Sequence, residues 1–134
     1  MATRALVPRA DGEGSIGTDA KKWGVGYFDA LRTEQQTLTF DATQDWNLLT
    51  APNAKLTLTG NTTFDAPTNI SADGVYVIEI LQDATGGRTV SWNTVFKWEG
   101  DTAPEVPSGA SERCIIVFKS DGTNLYGKVF WTEG

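Results

Sequence analysis

Val75-Tyr-Val-Ile-Glu-Ile-Leu81 and Arg113-Cys-Ile-Ile-Val-Phe-Lys119 decide the fold. Both runs are rich in β-branched and aromatic residues, which suit a pleated, packed surface. Neither shows the three-and-four spacing of an amphipathic helix. Shorter runs of the same kind flank them: Thr37–Phe40, Trp46–Leu49, Ala54–Thr59, Thr89–Trp92, Val95–Trp98 and Leu125–Trp131. Turn-forming clusters separate the runs, at residues 59–61, 72–74, 85–87, 99–101 and 120–122. Strands punctuated in this way predict an all-β fold, an antiparallel β-sandwich or jelly-roll-like barrel, over residues 34–134.

The turn residues predict connections as well. Gly86-Gly87 and Asp121-Gly122 supply the positive φ angles that tight hairpins need. Trp92 and Trp98 bracket what reads as another short hairpin. Asp101–Ser111, with Pro104 and Pro107 and no apolar alternation, reads as a long loop crossing between sheets.

Residues 1–33 have a different character. Five of the fourteen glycines lie here, and apolar residues are sparse before Trp23. The segment reads as an extended arm ending in an aromatic clasp. Its expected local structure is a helical turn over Thr18–Trp23, capped by Thr18 or Asp19, then a short strand over Val25–Leu31. Arg4, Arg9, Lys21, Lys22 and Arg32 give the arm five of the eleven basic residues. The remainder holds thirteen carboxylates against six basic residues. A more basic, flexible arm can mould onto a partner while the acidic domain faces outward.

Composition excludes several function classes. At 134 residues with 40 % hydrophobic and 21 % charged residues, the chain suits one domain that needs no staples. The formal charge of −6 and the absence of a clustered basic patch argue against nucleic-acid binding. No apolar run approaches the ~20 residues of a bilayer span. The first residues, with Arg9, Asp11 and Glu13 close behind a short apolar stretch, do not read as a secretion signal. No histidine is present, which removes the commonest general base and metal ligand. With no convergent acid, base or nucleophile set, we expect no enzyme activity and no cofactor.

Individual motifs resolve to structural roles. Gly12-Glu-Gly-Ser-Ile-Gly17 matches a dinucleotide fingerprint in letters only, because no central strand precedes it and no βαβ pattern follows. Asn61-Thr-Thr63 and Asn69-Ile-Ser71 read as turns rather than glycosylation sites. Asp83, Asp101 and Asp121 each sit in a turn and form no metal-binding loop pattern. Cys114, the single cysteine, reads as a small core residue. Of the five tryptophans, Trp92 and Trp98 are candidates for a ligand surface that stacks on sugars, against the plainer role of filling the core or an interface.

Gly14, Ile16, Gly17, Thr18, Lys22, Trp23 and Tyr27 follow the pattern G-x-(I/L)-G-(S/T)-x-x-x-(K/R)-W-x-x-x-(Y/F). This resembles a signature of tailed-phage tail-fibre and related fibrous proteins. Thr57–Thr63, Gln82–Trp92, Phe96–Trp98, Thr102–Pro104 and Ser120–Asn124 are similar to a small β domain that recurs in phage fibre and surface proteins. The resemblance implies a non-enzymatic virion surface protein, made in the host cytoplasm and working as a homotrimer with other virion proteins as partners. Leu6, Val7, Ile16, Trp23, Tyr27 and Phe28 would form the trimer or attachment interface. Tail fibres are long, and this chain runs from the arm straight into the β domain. That leads us to expect a capsid decoration protein, a head fibre or cement protein. The alternative is a short tail fibre or receptor-binding tip that adsorbs to a host-surface glycan.

Overall fold

A computed structural model describes residues 6–18 and 20–134. They form two units that meet in the chain between Arg32 and Thr33. The second unit holds nine strands: β1 (Gln36–Leu38), β2 (Thr43–Gln44), β3 (Asn53–Leu58), β4 (Thr62–Phe64), β5 (Ala72–Gln82), β6 (Val90–Trp92), β7 (Phe96–Trp98), β8 (Arg113–Asp121) and β9 (Leu125–Thr132). A 3-10 turn follows β7 at Glu99–Asp101.

From β1 to β6 the chain steps alternately between two sheets, so strands two apart become neighbours. One sheet has the order β1-β3-β5-β8-β9-β7, the other β2-β4-β6. Leu38, Leu56 and Ile80 lie side by side in the first, and Gln44, Phe64 and Trp92 in the second, all in parallel register. Residues 36–92 therefore wind through three stacked rungs. The β8–β9 hairpin then returns antiparallel along β5, and β7 lies parallel against the start of β9.

The all-β expectation holds, but the antiparallel one does not. Only β5–β8 and β8–β9 are antiparallel, and both sheets are open, so neither forms a barrel. The reason is physical. Inward and outward residues alternate identically whether a strand returns by a hairpin or after passing through a second sheet. Gly86-Gly87 accordingly closes no hairpin and lies in the β5–β6 passage between sheets, with φ +72° and +76°. A Cβ on Gly86 would stand 2.6 Å from the Ser108 carbonyl oxygen, so no side chain fits. The Trp92–Trp98 segment likewise is not a hairpin, because β6 and β7 belong to different sheets. Residues 101–111 do form a loop, but it joins β7 and β8 within one sheet rather than crossing between sheets.

Other local readings need correction. Trp46–Leu49 is not a strand. It forms a turn with a single bridge from Asn47 to Thr68. Residues 72–74 are the bulged start of β5, with Asp73 at φ +63°, rather than a turn before it. In the arm, Val25–Leu31 forms no strand. Thr18 closes a turn rather than a helix: its Oγ1 accepts from the Lys21 N–H at 3.0 Å. Asp19, the other expected cap, lies outside the described residues.

The core lies between the two sheets. Leu56, Leu58, Ile78, Ile80, Ile116 and Leu125 are fully buried aliphatics. An aromatic cluster fills the rest. Phe118 on β8 packs edge-on against Trp46 (5.8 Å between ring centroids), Phe96 (5.5 Å) and Trp98 (5.4 Å). Phe64 stacks on Trp92 at 4.8 Å. Trp46 also donates its indole N–H to the Ala51 carbonyl at 2.7 Å, which satisfies its polar atom inside the core. Gly127 pairs with Phe118 across the hairpin, and a Cβ there would lie 2.4 Å from the Phe118 ring and 2.6 Å from that of Trp98. The missing side chain is what admits both rings.

Phe118→Ala should destabilise the domain by about 3–5 kcal/mol, the range for buried aromatics. Gly127→Ala should also destabilise, by overpacking. Chemical denaturation monitored by tryptophan fluorescence checks both, and an unchanged midpoint would refute the packing argument.

Candidate functional site

Within residues 6–32 the apolar side chains point outward. Leu6, Val7, Ile16, Trp23, Tyr27 and Phe28 are all exposed, Trp23 at 75 % and Tyr27 at 94 %. Val25 and Leu31 are exposed too, and these were read from sequence as strand rather than as surface. The signature residues shape the unit. Gly17 has φ +89°, and its Cβ position lies 3.0 Å from the Lys21 carbonyl and 3.4 Å from the Trp23 ring. Backbone bonds between Thr18 and Lys21 close the turn (2.9 and 3.2 Å). Ile16, Gly17, Thr18, Lys22, Trp23 and Phe28 thus line one shallow apolar hollow. Leu6, Val7 and Pro8 line another with Gly14 to Ile16. The ion pair Arg9–Glu13 (2.6 Å) is exposed and adds little. The energetic feature of the unit is unburied apolar surface.

Trp92 and Trp98 stand elsewhere, half-buried against the core of the β domain. Their rings meet edge-on at 5.0 Å, and both also pack near Phe118. Each indole N–H is shielded and without a partner. Their rings mainly join the two sheets.

The polar residues singled out in sequence serve turns. Asn61 Oδ1 accepts from the Thr89 N–H at 3.0 Å, and Asn69, at φ +58°, donates to Asn47 Oδ1 at 2.9 Å. Asp83 accepts from the backbone N–H groups of Thr85 and Gly86 and pairs with Arg88 at 3.1 Å. Those interactions, the Gly86 bond foremost, hold its carboxyl below the ordinary range. Asp101 sits at φ +56° in the 3-10 turn. Asp121 accepts from the N–H groups of Asn124 (2.7 Å) and Thr123 (2.8 Å) and from the Tyr126 hydroxyl (2.9 Å). These donors depress its carboxyl to about 2, the Asn124 bond contributing most. Among the described residues no group of three or more acidic, cysteine or histidine side chains converges as a metal site. No helix among them is long and apolar enough to cross a membrane. Around Gly12–Gly17 there is neither strand nor helix among the described residues.

Sequence reasoning missed Gln82. It is 2 % exposed and fully bonded, donating to the carbonyls of Arg88 and Pro107 (both 2.8 Å) and accepting from the Arg88 N–H (3.0 Å). It ties the β5–β6 passage to the proline loop. A polar residue ending an apolar strand was the available signal. Missed as well were Tyr126, Phe130 and Trp131, exposed on β9.

Two measurements test these assignments. Asp121 has a folded pKa below its unfolded value of about 3.9, so its stabilisation is full above that value and fades as pH falls toward about 2. Asp121→Ala should therefore lower the melting temperature at neutral pH, and the gap from the parent should close near pH 2. A gap independent of pH would refute the carboxylate's role. Burial raises the Cys114 thiol to about 11. Maleimide should label it slowly in folded protein and quickly after denaturation; equal rates would show that the thiol is accessible.

No curated protein and no solved structure matches the chain. One family does, described as "Putative phage tail fibre C-terminal domain", over residues 46–125. The match opens at Trp46 in the aromatic cluster, takes in β3 to β8 and ends on Leu125, the first residue of β9. It covers more than half of the chain, and the resemblance to tailed-phage surface proteins read from its motifs is thereby grounded in kinship: this β domain belongs to the family of phage tail fibre C-terminal domains.

Proposed function

We propose that the protein is a non-enzymatic, homotrimeric tail-fibre subunit whose residues 1–33 dock on partner chains and whose residues 34–134 face outward. The observation that carries this is the row of exposed apolar side chains on the arm, from Leu6 to Leu31, in a chain of the tail-fibre family. So much apolar surface on so short a segment gains free energy when a partner chain covers it. Threefold intertwining buries such an anchor while keeping every subunit equivalent. Of the two particle locations expected from sequence, the family description favours the tail over capsid decoration. The half-buried state of Trp92 and Trp98 gives no support to a glycan surface there, so adsorption to a glycan is not part of the proposal. The non-enzymatic reading rests on the absence of histidine and of any convergent reactive set.

Deleting residues 1–20 should leave a protein whose β signal in circular dichroism is unchanged but which no longer binds particles lacking it. Retained binding would assign attachment to the β domain instead. Trp23→Ala should weaken the trimer by about 3–5 kcal/mol, as for other buried aromatics. A monomer by light scattering for the intact chain at micromolar concentration would overturn the trimer. Copy number in purified particles separates the locations: a handful supports the tail, and hundreds would return the protein to the capsid.

A further inference from the structure

Aspartate is followed by glycine three times, at Asp11-Gly12, Asp73-Gly74 and Asp121-Gly122. In such a pair the glycine nitrogen can attack the side-chain carboxyl carbon of the aspartate. An N–Cγ bond forms, and the amide proton leaves with the hydroxyl of the protonated carboxyl as water. The product is a succinimide ring. Water then opens the ring at the main-chain carbonyl carbon, restores the lost atoms and leaves isoaspartate, whose backbone runs through the former side chain. Glycine favours the closure because it has no Cβ and its backbone turns freely. Closure also requires a free glycine N–H and a carboxyl that can take up a proton.

The fold restrains two of the three pairs. Asp121 accepts from the N–H groups of Thr123 (2.8 Å) and Asn124 (2.7 Å) and from the Tyr126 hydroxyl (2.9 Å). Those donors lower its carboxyl to about 2, and an ionised carboxylate has no hydroxyl to release. The Gly122 N–H is also engaged, by Ser120 Oγ at 2.9 Å. Asp73-Gly74 is restrained at the nitrogen. The Gly74 N–H donates to the Ser71 carbonyl at 3.1 Å, and the Ser71 N–H donates to the Tyr76 hydroxyl at 3.1 Å. Tyr76 is buried, and a Cβ on Gly74 would collide with its hydroxyl, so this segment is tightly packed. The Asp73 carboxylate itself pairs with Lys119 at 3.2 Å.

Asp11-Gly12 escapes both restraints. The two residues form the centre of a turn that closes through the Glu13 N–H on the Ala10 carbonyl (3.2 Å), so the turn's own bond leaves the Gly12 N–H out. Both residues are exposed, and nothing lies within 4 Å of the Cβ position of Gly12, which has φ +73°. The nearby cation Arg9 is taken by Glu13 at 2.6 Å. The same turn connects Leu6, Val7 and Pro8 to Gly14–Ile16, which line one hollow with them. Isoaspartate there adds a carbon to the backbone of the turn and so reshapes the apolar surface of the arm.

We propose that Asp11-Gly12 is a site of spontaneous covalent modification, where aspartate isomerises to isoaspartate while the fold protects the other two pairs. The full chain is incubated at mildly acidic pH, once native and once in denaturant, and sampled over time. Trypsin then yields Ala10–Lys21, Leu56–Arg88 and Ser120–Lys128, each with one of the pairs. Electron-transfer fragmentation locates the isoaspartate. In the native protein the Asp11 peptide should convert at least roughly fivefold faster than the other two, the scale of first breaking one hydrogen bond. In denaturant the three rates should converge. Equal rates in the native protein overturn the proposal. A lead for Asp11 that persists in denaturant overturns it as well, because the fold would then not be its cause. Asp11→Glu, whose longer side chain cannot close a succinimide, should abolish isoaspartate in Ala10–Lys21. Undiminished isoaspartate in that peptide would come from another residue and would also overturn the assignment.

Discussion

Phe118 and the glycine opposite it hold the domain together. The three rungs of residues 36–92 stack their own strands in parallel, but the cavity between the two sheets is closed only when the β8–β9 hairpin brings Phe118 into it. That one ring touches Trp46 from before β3, Trp92 from β6, and Phe96 and Trp98 from β7. Gly127 leaves the space it occupies. The aromatic cluster is thus the joint between the winding and the hairpin, made from segments far apart in sequence. Such non-local contacts return their free energy only after long loops have closed, so the domain belongs to the slowly folding class of topologies.

The strands themselves were legible in the sequence, and their partners were not. Ala54–Thr59, Val75–Leu81, Thr89–Trp92, Val95–Trp98, Arg113–Lys119 and Leu125–Trp131 all correspond to strands to within a few residues. Asp121-Gly122 closes the one hairpin it was expected to close. Gly86-Gly87 carries the same local signal yet serves a passage between sheets. The positive φ angles are real in both places. What differs is where the next strand finds apolar surface, a property of the whole chain. Short strands such as Thr62–Phe64 escaped notice because one buried phenylalanine cannot establish an alternation.

The exposure of the aromatic residues in residues 6–32 has a different origin. These residues sit among glycines and charges, where no local core can form, and their exposure follows directly. Trp92 and Trp98 were harder to judge, since tryptophan is common both in cores and at surfaces. The rings around Trp92 are Phe64, Phe96 and Phe118, which come from other strands, and no window of sequence around residue 92 contains them all.

The outward positions of β5 and β8 mix apolar and charged residues. A strand that faces water on one side alternates, as β3 does with Asn53, Lys55 and Thr57 turned outward. β5 and β8 depart from that alternation at Val75, Val77, Leu81, Ile115 and Val117 and keep it at Glu79, Arg113, Lys119 and Asp121, although the core needs only every second residue. A solvated face favours polar residues, because exposed Val, Ile and Trp promote non-specific association. Polar residues do occupy the outer face of the other sheet, in the same domain and the same solvent.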